Sequence, residues 1–253
     1  MKIDLNCDMG ESYGAWKMGA DAEVMPHISS ANIACGFHGG DPATIRKTVK
    51  LAVDHGVAIG AHPSLPDREG FGRRELPVSP QDAYTFVRGQ LLALMEIASA
   101  QGARLSHLKP HGYLYNLSAR DRDIAEAIAN ATRDVDPGLV LVGLSGSCLP
   151  AAGGALRLAV AHEAFAERRY EADGRLTPRS RPDAVIHDLA GCLQQVRDLL
   201  RGAVVARNGQ RIPVRMDTLC LHGDRPDAAD FARALRETLQ AEGVRIRAPW
   251  ASP

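Results

Sequence analysis

The sequence predicts an α/β fold, a distorted (β/α) TIM-like barrel of about seven parallel strands that forms one domain over residues 1–253. Short apolar runs alternate about seven times with longer segments of helical period, which is typical of parallel strands joined by crossover helices. No polar linker, low-complexity tract or internal repeat divides the chain. The first apolar run also has one polar face, and this favours a closed barrel over an open doubly wound sheet.

Strands are expected where short apolar runs end near Gly, His or Pro. These runs are residues 3–7, 28–35, 57–61, 105–108, 139–144, 156–161 and 218–221. Helices are expected between them, at residues 42–55, 80–101, 121–133, 183–200 and 227–241. Pro42, Pro80 and Pro226 support three of the helix starts, because the missing N–H of proline costs nothing in a first turn.

The first strand reads I-D-L-N-C-D and alternates strictly in polarity. Its apolar residues, from Ile3 to Cys7, point to one side, while Asp4, Asn6 and Asp8 point to the other. A central strand of an open parallel sheet is apolar on both faces, because helices cover both. We therefore expect the apolar residues to pack on helices and the polar ones to face a barrel lumen.

Composition excludes several classes of function. The 253 residues (27.2 kDa) are 45% apolar and 24% charged, which is an ordinary globular profile. Thirty basic residues balance thirty acidic ones, so no electrostatic footprint for nucleic acid or an anionic membrane is present. Asp4 and Asp8 interrupt the early apolar stretch, so no secretion signal is expected, and no window is apolar enough for a membrane helix.

The cysteines indicate a reducing compartment. There are five, an odd number, and none forms a CxxC pair. This pattern favours free thiols in the cytoplasm over a disulfide framework or a structural zinc site. The five are Cys7, Cys35, Cys148, Cys192 and Cys220.

Residues suited to acid–base chemistry or metal binding collect at the predicted strand ends. The carboxyl ends of parallel strands share one rim, so we expect these side chains to meet. They are Asp8, Glu11, His38, Asp41, His62, Asp67, Lys109, His111, Tyr113, Tyr115, Glu163, His222 and Asp224. A single histidine after a strand is usually a hydrogen-bonded turn residue, but several at the same end of different strands favour a shared site.

Two uses of these residues remain open on sequence alone. Asp8, His38 and His62 are a possible two-histidine, one-carboxylate metal set, although no H-x-x-x-H or H-E-x-x-H spacing fixes two ligands on one element. The same residues are equally suited to act as acids, bases and substrate anchors without a bound metal.

Two arginine-rich stretches are candidates for binding an anion. Residues 67–75 read D-R-E-G-F-G-R-R-E and include Arg73, while residues 168–179 end at Arg179. Flexible backbone and guanidinium groups suit a carboxylate or phosphate clamp, and a plain solvated loop is the alternative in each case. The chain has no G-x-x-x-x-G-K-[ST] motif and thus no P-loop.

Taken together, the blocks resemble the lactam-utilisation (LamB/YcsF-like) family, whose members include the A subunit of bacterial 5-oxoprolinase. The matching blocks run in order from residue 4 to residue 224 and cover nearly the whole chain. They are D-L-N-C-D-M-G-E, N-I-A-C-G-F-H-G-G-D, A-H-P-S-L-P-D-R-E-G-F-G-R-R, L-K-P-H-G-Y-L-Y, E-A-F-A-E-R-R-Y, D-G-R-L-T-P-R and C-L-H-G-D.

The resemblance implies a barrel similar to carbohydrate deacetylases and ATP-dependent opening of 5-oxo-L-proline (pyroglutamate) to L-glutamate. It implies ATP with Mg²⁺ as cofactor and separate subunits B and C as partners. ATP is chemically understandable, because a five-membered lactam is a stable amide and phosphorylation of its oxygen would create a leaving group. The alternatives are a stand-alone metal-dependent amidase or carbohydrate deacetylase, and a scaffolding subunit without chemistry of its own.

For this reaction we assign roles as hypotheses. Asp8 or Glu163 is the candidate base for water, and Lys109 and Arg73 are candidates for meeting phosphate or carboxylate charge. The candidate catalytic residues are Asp8, Glu163, His111 and Lys109. The candidate substrate- or phosphate-binding residues are Asn6, Glu11, Arg73, Tyr115, Arg179, His222 and Asp224. The possible metal ligands remain Asp8, His38 and His62.

Overall fold

The computed structural model describes residues 1–223 and 227–248. Asp224 and Pro226, for which the sequence makes predictions, lie outside these residues. Ten strands are present in the described part of the chain. They are β1 (Lys2–Met9), β2 (Ser30–Ala34), β3 (Ala58–His62), β4 (Leu105–Leu108), β5 (Val140–Leu144), β6 (Ala159–Phe165), β7 (Ala203–Val205), β8 (Arg211–Pro213), β9 (Thr218–His222) and β10 (Arg245–Ile246).

Seven of these strands close a parallel barrel, as predicted. The order is β1-β2-β3-β4-β5-β6-β9, and β9 pairs with β1 to complete the ring. Closure is in register over five residue pairs, from Asp4 opposite Thr218 to Asp8 opposite His222. The short β10 extends the edge of β1 below the ring, and β7 and β8 form a separate antiparallel hairpin.

Helices connect the strands and cover the barrel. They are α1 (Asp21–Val24), α2 (Pro42–Asp54), α3 (Pro80–Ser99), α4 (Gly112–Ser118), α5 (Arg122–Val135), α6 (Cys148–Ala155), α7 (Leu189–Leu200) and α8 (Ala228–Ala241), with a 3-10 turn at Met25–His27. Side-chain caps start several of them: Asp41 accepts from the backbone of α2, and Ser79 and Asp82 form a capping box on α3. None of the described helices has the length and apolar character needed to cross a membrane.

The sequence prediction was wrong at β6 and α7. The expected strand at 156–161 begins at Ala159 and continues to Phe165, because Leu156 caps α6 and Arg157 turns with a φ of 61°. Glu163 therefore lies within the strand, opposite Leu144 and Thr218, and not after its end. Helix α7 begins at Leu189, where Asp188 caps it, rather than at residue 183.

The barrel lumen is polar on one side and apolar on the other. Asp4 and Asn6 point into it from β1, as expected, while Leu5 and Cys7 belong to the main apolar core outside the ring. On the opposite side Val140, Val142 and Ala161 form a small separate apolar cluster. The polar residues of β1 therefore face polar groups from β2, β4, β6 and β9, namely Ser30, Asn32, His107, Glu163 and Thr218.

Candidate active site

Hydrogen bonds link the polar lumen residues in layers along β1. At the bottom, Asp4 accepts bonds from the hydroxyls of Ser29 (2.7 Å), Ser30 (2.7 Å) and Thr218 (2.6 Å). Burial raises the pKa of Asp4, although these three hydrogen bonds act in the opposite direction. This layer is sealed by protein groups, since Asp4 has no exposed surface. It supports the site above it and does not meet a substrate.

The middle layer is built around amide groups. The Asn6 amide donates to Glu163 Oε1 (3.0 Å) and to Thr218 Oγ1 (2.6 Å), and its oxygen accepts from Asn32 Nδ2 (2.7 Å). Asn32 Oδ1 in turn lies 2.8 Å from His107 Nε2. Because these side chains satisfy one another, they hold the groups of the upper layer in one arrangement.

A buried ammonium group lies at the centre of the upper layer. Lys109 Nζ is 3.0 Å from Asp8 Oδ1, 2.8 Å from Glu163 Oε1 and 3.2 Å from Cys220 Sγ. Burial alone would lower the pKa of Lys109, but the neighbouring Asp8, Cys220 and Glu163 outweigh it and raise the pKa well above its usual value. Lys109 therefore remains charged at neutral pH.

The carboxylate of Asp8 is held ionised by the same arrangement. Its burial would raise the pKa, but the charges of His62 and Lys109 outweigh this and hold the pKa well below its usual range. Burial raises the pKa of Cys220 well above that of a free thiol, even with the ammonium of Lys109 beside it. The layer thus presents a carboxylate and an ammonium, whereas the thiol is not a nucleophile.

Three histidines and an acid form a second group next to Asp8. His62 Nε2 is 3.3 Å from Asp8 Oδ2 and 3.0 Å from His111 Nδ1. The His38 ring stacks on that of His111 at 3.8 Å between centroids, and His38 Nε2 lies 3.2 Å from Glu11 Oε1. Burial holds the pKa of His38 and of His111 well below the usual value, so both rings are neutral. We call Glu11, His38, His62 and His111 the histidine cluster.

The histidine cluster changes the grouping predicted for a metal. His38 and His62 lie together as expected, but their partners are Glu11 and His111, for which the sequence predicted roles in substrate binding and catalysis. Asp8 contacts His62 and is occupied on its other oxygen by Lys109. The signal available in the sequence was the position of Glu11 three residues beyond Asp8, at the same strand end.

A cleft of about 940 Å³ opens above Asp8 and Lys109. Most predicted site residues line it, namely Asp8, His62, Arg73, Lys109, His111, Tyr115, Arg179 and His222. Asn6 and Glu163 lie below it, and His38 and Glu11 lie behind its wall. Because Glu163 has no exposed surface and its Oε1 already meets Lys109, it orients the ammonium and is not in position to meet water from the cleft.

Two buried polar atoms at and below the floor of the cleft lack a well-aligned protein partner. The Tyr115 hydroxyl and Glu163 Oε2 make no hydrogen bond of good geometry within the described residues. Burial and the nearby charge of Glu163 raise the pKa of Tyr115 well above its usual value, so its hydroxyl keeps its proton. Tyr115 lines the cleft, but its hydroxyl is itself buried and lies beside the carboxylate of Glu163.

Positive charge converges on the outer part of the cleft. Arg168, which lines it, is almost fully buried; its Nη2 donates to Thr177 O (2.6 Å), while its Nε has no partner among the described residues. Burial and the positive charges of Arg179 and Arg73 lower the pKa of Arg168 to about 10. Guanidinium groups that repel one another across a cleft are a suitable site for a carboxylate or phosphate.

Two residues of this region were not predicted from the sequence. Arg168 was visible only as part of the 168–179 stretch, and Glu167 was not singled out. Glu167 Oε1 pairs with His222 Nδ1, and it also accepts from the His222 backbone N–H at 3.1 Å. Arg179 Nη2 lies 3.2 Å from His222 Nε2 on the other side of the ring. Both missed residues follow the true end of β6, which the sequence placed too early.

The fold and the site together define a seven-stranded (β/α) barrel with a charged pocket at the carboxyl ends of its strands, the arrangement of a barrel enzyme. The chain belongs to the LamB/YcsF family, whose model matches residues 3–252.

Individual relatives agree with this assignment. The chain is 57% identical over 247 residues to a Bordetella pertussis protein named as the A subunit of 5-oxoprolinase, covering 97% of this chain and 98% of that protein. A lactam utilization protein from Thermus thermophilus superimposes with a TM-score of 0.91 at 49% identity, covering 98% and 100% of the two chains. A family 4 carbohydrate esterase from Streptomyces lividans (TM-score 0.51, 12% identity, 97% and 91% covered) shares the fold alone.

Proposed function

We propose that this chain acts as the A subunit of an ATP-dependent 5-oxoprolinase, which opens 5-oxo-L-proline to L-glutamate together with subunits B and C. The observation that carries the proposal is the buried, charged pair of Lys109 and Asp8 at the base of an arginine-lined cleft. The relatives named as 5-oxoprolinase A subunits support it, because they match over almost their whole length.

The site offers the two charges that lactam opening requires. Negative charge develops on the lactam oxygen when its carbonyl carbon is attacked, and a preorganised ammonium such as Lys109 stabilises that charge most effectively in a site shielded from water. Asp8, held as a carboxylate by His62 and Lys109, accepts a hydrogen bond from the attacking water and orients it. Because the pKa of Asp8 is depressed, we assign it this orienting role in preference to that of a strong base.

The outer cleft fits an anionic group. Arg73, Arg168 and Arg179 converge there, and the Nε of Arg168 is aimed at no protein acceptor among the described residues. These arginines would hold the carboxylate of 5-oxoproline or the phosphates of ATP–Mg²⁺. When bound, ATP would supply the phosphoryl group that makes the lactam oxygen a leaving group.

The test is reconstitution from purified components. This chain is mixed with its candidate B and C subunits, and 5-oxoproline, ATP and glutamate are followed while each component is omitted in turn. We expect glutamate to form only in the complete mixture with ATP. Formation of glutamate in the mixture that lacks this chain would contradict the proposal, and turnover by this chain alone without ATP would favour an amidase.

A substitution in the arginine group links the cleft to the reaction. In the reconstituted enzyme, Arg168→Gln should raise the KM for 5-oxoproline or for ATP by at least about tenfold, since a charge-assisted hydrogen bond contributes about 1.5–3 kcal/mol. The substrate whose KM rises is the one whose anionic group binds at this subsite. The matched control is Arg197→Gln on the surface of α7, whose guanidinium meets Glu242 at 3.4 Å, and it should leave both values unchanged.

A further inference from the structure

Opening of the lactam requires a group that carries a proton. Attack of water on the activated carbonyl carbon forms a C–O bond, and the C–N bond then breaks with its electron pair staying on the nitrogen. One proton of the water must therefore leave it and reach that nitrogen. Asp8 orients the water, but its depressed pKa makes it a poor proton acceptor. A separate base that lines the cleft is needed.

Several side chains at the base of the cleft are poor candidates for this base. Lys109 remains charged, and the Tyr115 hydroxyl keeps its proton. Glu163 is buried below the cleft. His62 Nδ1 and His111 Nε2 lie 2.7 Å and 2.8 Å from backbone carbonyl oxygens, and their other ring nitrogens lie 3.0 Å from each other. All five are thus protonated, buried or held in contacts with other protein groups.

His222 is held at the rim by a carboxylate from the neighbouring strand. Strands β6 and β9 pair with Phe165 opposite Cys220, so Glu167 and His222, each two residues further along, meet at the rim. Glu167 Oε1 pairs with His222 Nδ1 and also accepts from the His222 backbone N–H. The His222 side chain is 12% exposed and lines the cleft, whereas Glu167 is only 4% exposed. The imidazole is therefore fixed from its buried side.

The partners of the two ring nitrogens define the tautomer of His222. An ionised carboxylate only accepts, so Nδ1 carries the proton that it donates to Glu167. A guanidinium only donates, so Nε2, which lies 3.2 Å from Arg179 Nη2, holds the lone pair. The two contacts agree on one neutral form of the ring. In that form the basic nitrogen points away from Glu167.

His222 lies close enough to Asp8 for the two to share a water molecule. The two residues are opposite each other across the β1 and β9 ladder, and a ring nitrogen of His222 lies within 4.8 Å of a carboxylate oxygen of Asp8. A water molecule that makes two hydrogen bonds of about 2.7–2.8 Å spans such a separation. Lys109 Nζ, 3.0 Å from Asp8 Oδ1, lies beside the same place. Orientation, proton transfer and charge stabilisation thus come from three different side chains.

Arg179 links the basic nitrogen of His222 to anion binding. Its Nη2 donates to Nε2 at 3.2 Å, so it occupies the lone pair that water would use. A carboxylate or phosphate is a stronger acceptor for a guanidinium than a neutral imidazole nitrogen, because the bond is charge-assisted. An anion among the arginines of the cleft would therefore draw Arg179 away and make Nε2 accessible to water.

We propose, on the basis of the function proposed above, that His222 is the general base and acid of lactam opening and that Glu167 is its positioning residue. Nε2 takes one proton from the water as the C–O bond forms, and it gives this proton to the ring nitrogen as the C–N bond breaks. The carboxylate of Glu167 keeps Nε2 directed to the cleft and stabilises the imidazolium that exists between these two events.

The tautomer of His222 can be measured in the whole chain without its partners. In protein labelled with ¹⁵N at histidine, the signals of His222 are those that disappear in the His222→Gln variant. We expect Nδ1 to be protonated and Nε2 to be unprotonated near neutral pH. In Glu167→Gln the Nδ1–H proton should lose the downfield shift that a bond to a carboxylate causes. A proton on Nε2 instead would overturn the proposal, with or without activity data.

Kinetics of the reconstituted enzyme test the role in proton transfer. His222→Gln should lower kcat for glutamate formation at least about 100-fold, the usual contribution of a general acid–base group, and should change the KM values little. Added imidazole should restore part of the activity of His222→Ala, because a small base can then take the place of the missing ring. A residue with only a structural role would show no such rescue.

Substitutions of Glu167 test its positioning role. In Glu167→Gln the amide oxygen can still accept from Nδ1 but the negative charge is lost, so kcat should fall at least about tenfold with both KM values unchanged. Glu167→Asp, which keeps the charge, should retain more activity than Glu167→Ala. The matched control is His55→Gln, because His55 is exposed at the end of α2 and its Nδ1 meets the carbonyl oxygen of Leu51. Unfolding curves show whether each variant folds.

The outcomes separate this role from the proposed function. A folded His222→Gln variant with the kcat of an active wild type would overturn the role of His222 and leave the proposed function standing. A rise in KM without a loss of kcat would also overturn it, since the ring would then only bind substrate. A wild-type mixture that forms no glutamate would overturn the proposed function, and the role of His222 in it.

Discussion

At the scale of single residues, the site depends on charges that are balanced inside the barrel. Asp8 and Glu163 share one ammonium, that of Lys109, and all three side chains are at least nine-tenths buried. Removing one member of such a group leaves the others charged and unpaired in a medium of low polarity, which costs far more than the loss of an exposed ion pair. The charge balance of the pocket therefore contributes both to folding and to chemistry.

Lys109→Met tests this balance. We expect the free energy of unfolding to fall by about 3–5 kcal/mol, since two buried carboxylates lose their counter-charge. In the reconstituted enzyme kcat should fall at least about 100-fold, the usual effect of losing one group that stabilises developing charge. Urea unfolding and glutamate formation are the measurements.

The matched control for that variant is Lys50→Met on α2. Lys50 Nζ is 2.8 Å from Asp54 Oδ1, but the lysine side chain is 68% exposed, so its loss should change stability by no more than about 0.5 kcal/mol. Equal stability losses in the two variants would show that the Lys109 group is solvated and not balanced as described.

Buried His107 should contribute to the acid sensitivity of the fold, as should the buried rings of His38 and His111. Burial lowers the pKa of His107 from 6.5 to about 3 in the folded chain, with the charge of Lys109 contributing. Below pH 6.5 the unfolded chain takes up a proton that the folded chain does not, so stability is lost as the pH falls from about 6.5 towards 3. The loss amounts to about 1.4 kcal/mol per pH unit for this one group.

His107→Gln removes this dependence while keeping an amide near Asn32. Urea unfolding is measured at a series of pH values from about 7 to about 5. The free energy of unfolding of the variant should depend less steeply on pH, by the amount that corresponds to about one proton fewer taken up on unfolding. The exposed His55→Gln variant provides the comparison and should retain the slope of the wild type. An unchanged slope in the His107 variant would contradict a depressed pKa for His107 in the folded chain.

At the scale of elements, a loop holds the histidine cluster in place. The segment between β3 and α3 folds back so that Phe71 O accepts from His111 Nε2 and Gly72 O accepts from the Tyr113 backbone N–H at 2.8 Å. Gly72 has a φ of 63°, and a Cβ there would overlap Ser64 Oγ and lie 3.0 Å from His111 Cδ2 and from His38 Cβ. Only glycine allows the backbone to pass this close to Ser64 and the two histidines.

Gly72→Ala should therefore disturb both the fold and the cluster. We expect a loss of about 1–3 kcal/mol from crowding, in addition to the strain of a positive φ. Gly209→Ala is the control, since Gly209 also has a positive φ (84°) but faces open space. A larger loss at 72 than at 209, together with shifted imidazole NMR signals only in the first variant, would confirm the contact. Equal losses of stability in the two variants would show that backbone strain alone causes the destabilisation.

The strands and helices also show how much of the structure could be predicted from the sequence. A strand with a polar inward face can be predicted where polar and apolar residues alternate regularly, as in β1. The residues of the rim could be predicted because each follows the end of a predicted strand. In β6 the inward Glu163 interrupts the apolar run, so the strand was ended early and Glu167 and Arg168 beyond it were overlooked. The partner of each rim residue depends on loop paths, such as the one that brings Glu11 to His38, and no periodicity encodes these.

At the scale of the whole molecule, the barrel closes between its first and last ring strands. Thr218 of β9 donates to Asp4 Oδ2 and accepts from Asn6 Nδ2, both at 2.6 Å and both across the seam. Asp4 also accepts a hydrogen bond from Ser30 of β2. The Thr218 hydroxyl therefore connects β9 to β1 and β2, although Thr218 and Asp4 are more than 200 residues apart in the chain. The seam consists of buried polar bonds as well as the parallel ladder of β1 and β9.

Thr218→Val preserves the size and shape of this side chain and removes its hydroxyl. Two buried groups, on Asp4 and Asn6, then lose a partner, and we expect a loss of about 2–5 kcal/mol in the free energy of unfolding. The control is Thr132→Val in α5, another buried threonine, whose hydroxyl donates to the Ile128 carbonyl oxygen within its own helix and should cost about 1 kcal/mol. Because the seam joins both ends of the chain, the Thr218 variant should still unfold in one transition with an unchanged m-value. A separate early transition confined to β9 and α8 would instead show that the ring does not unfold as a unit.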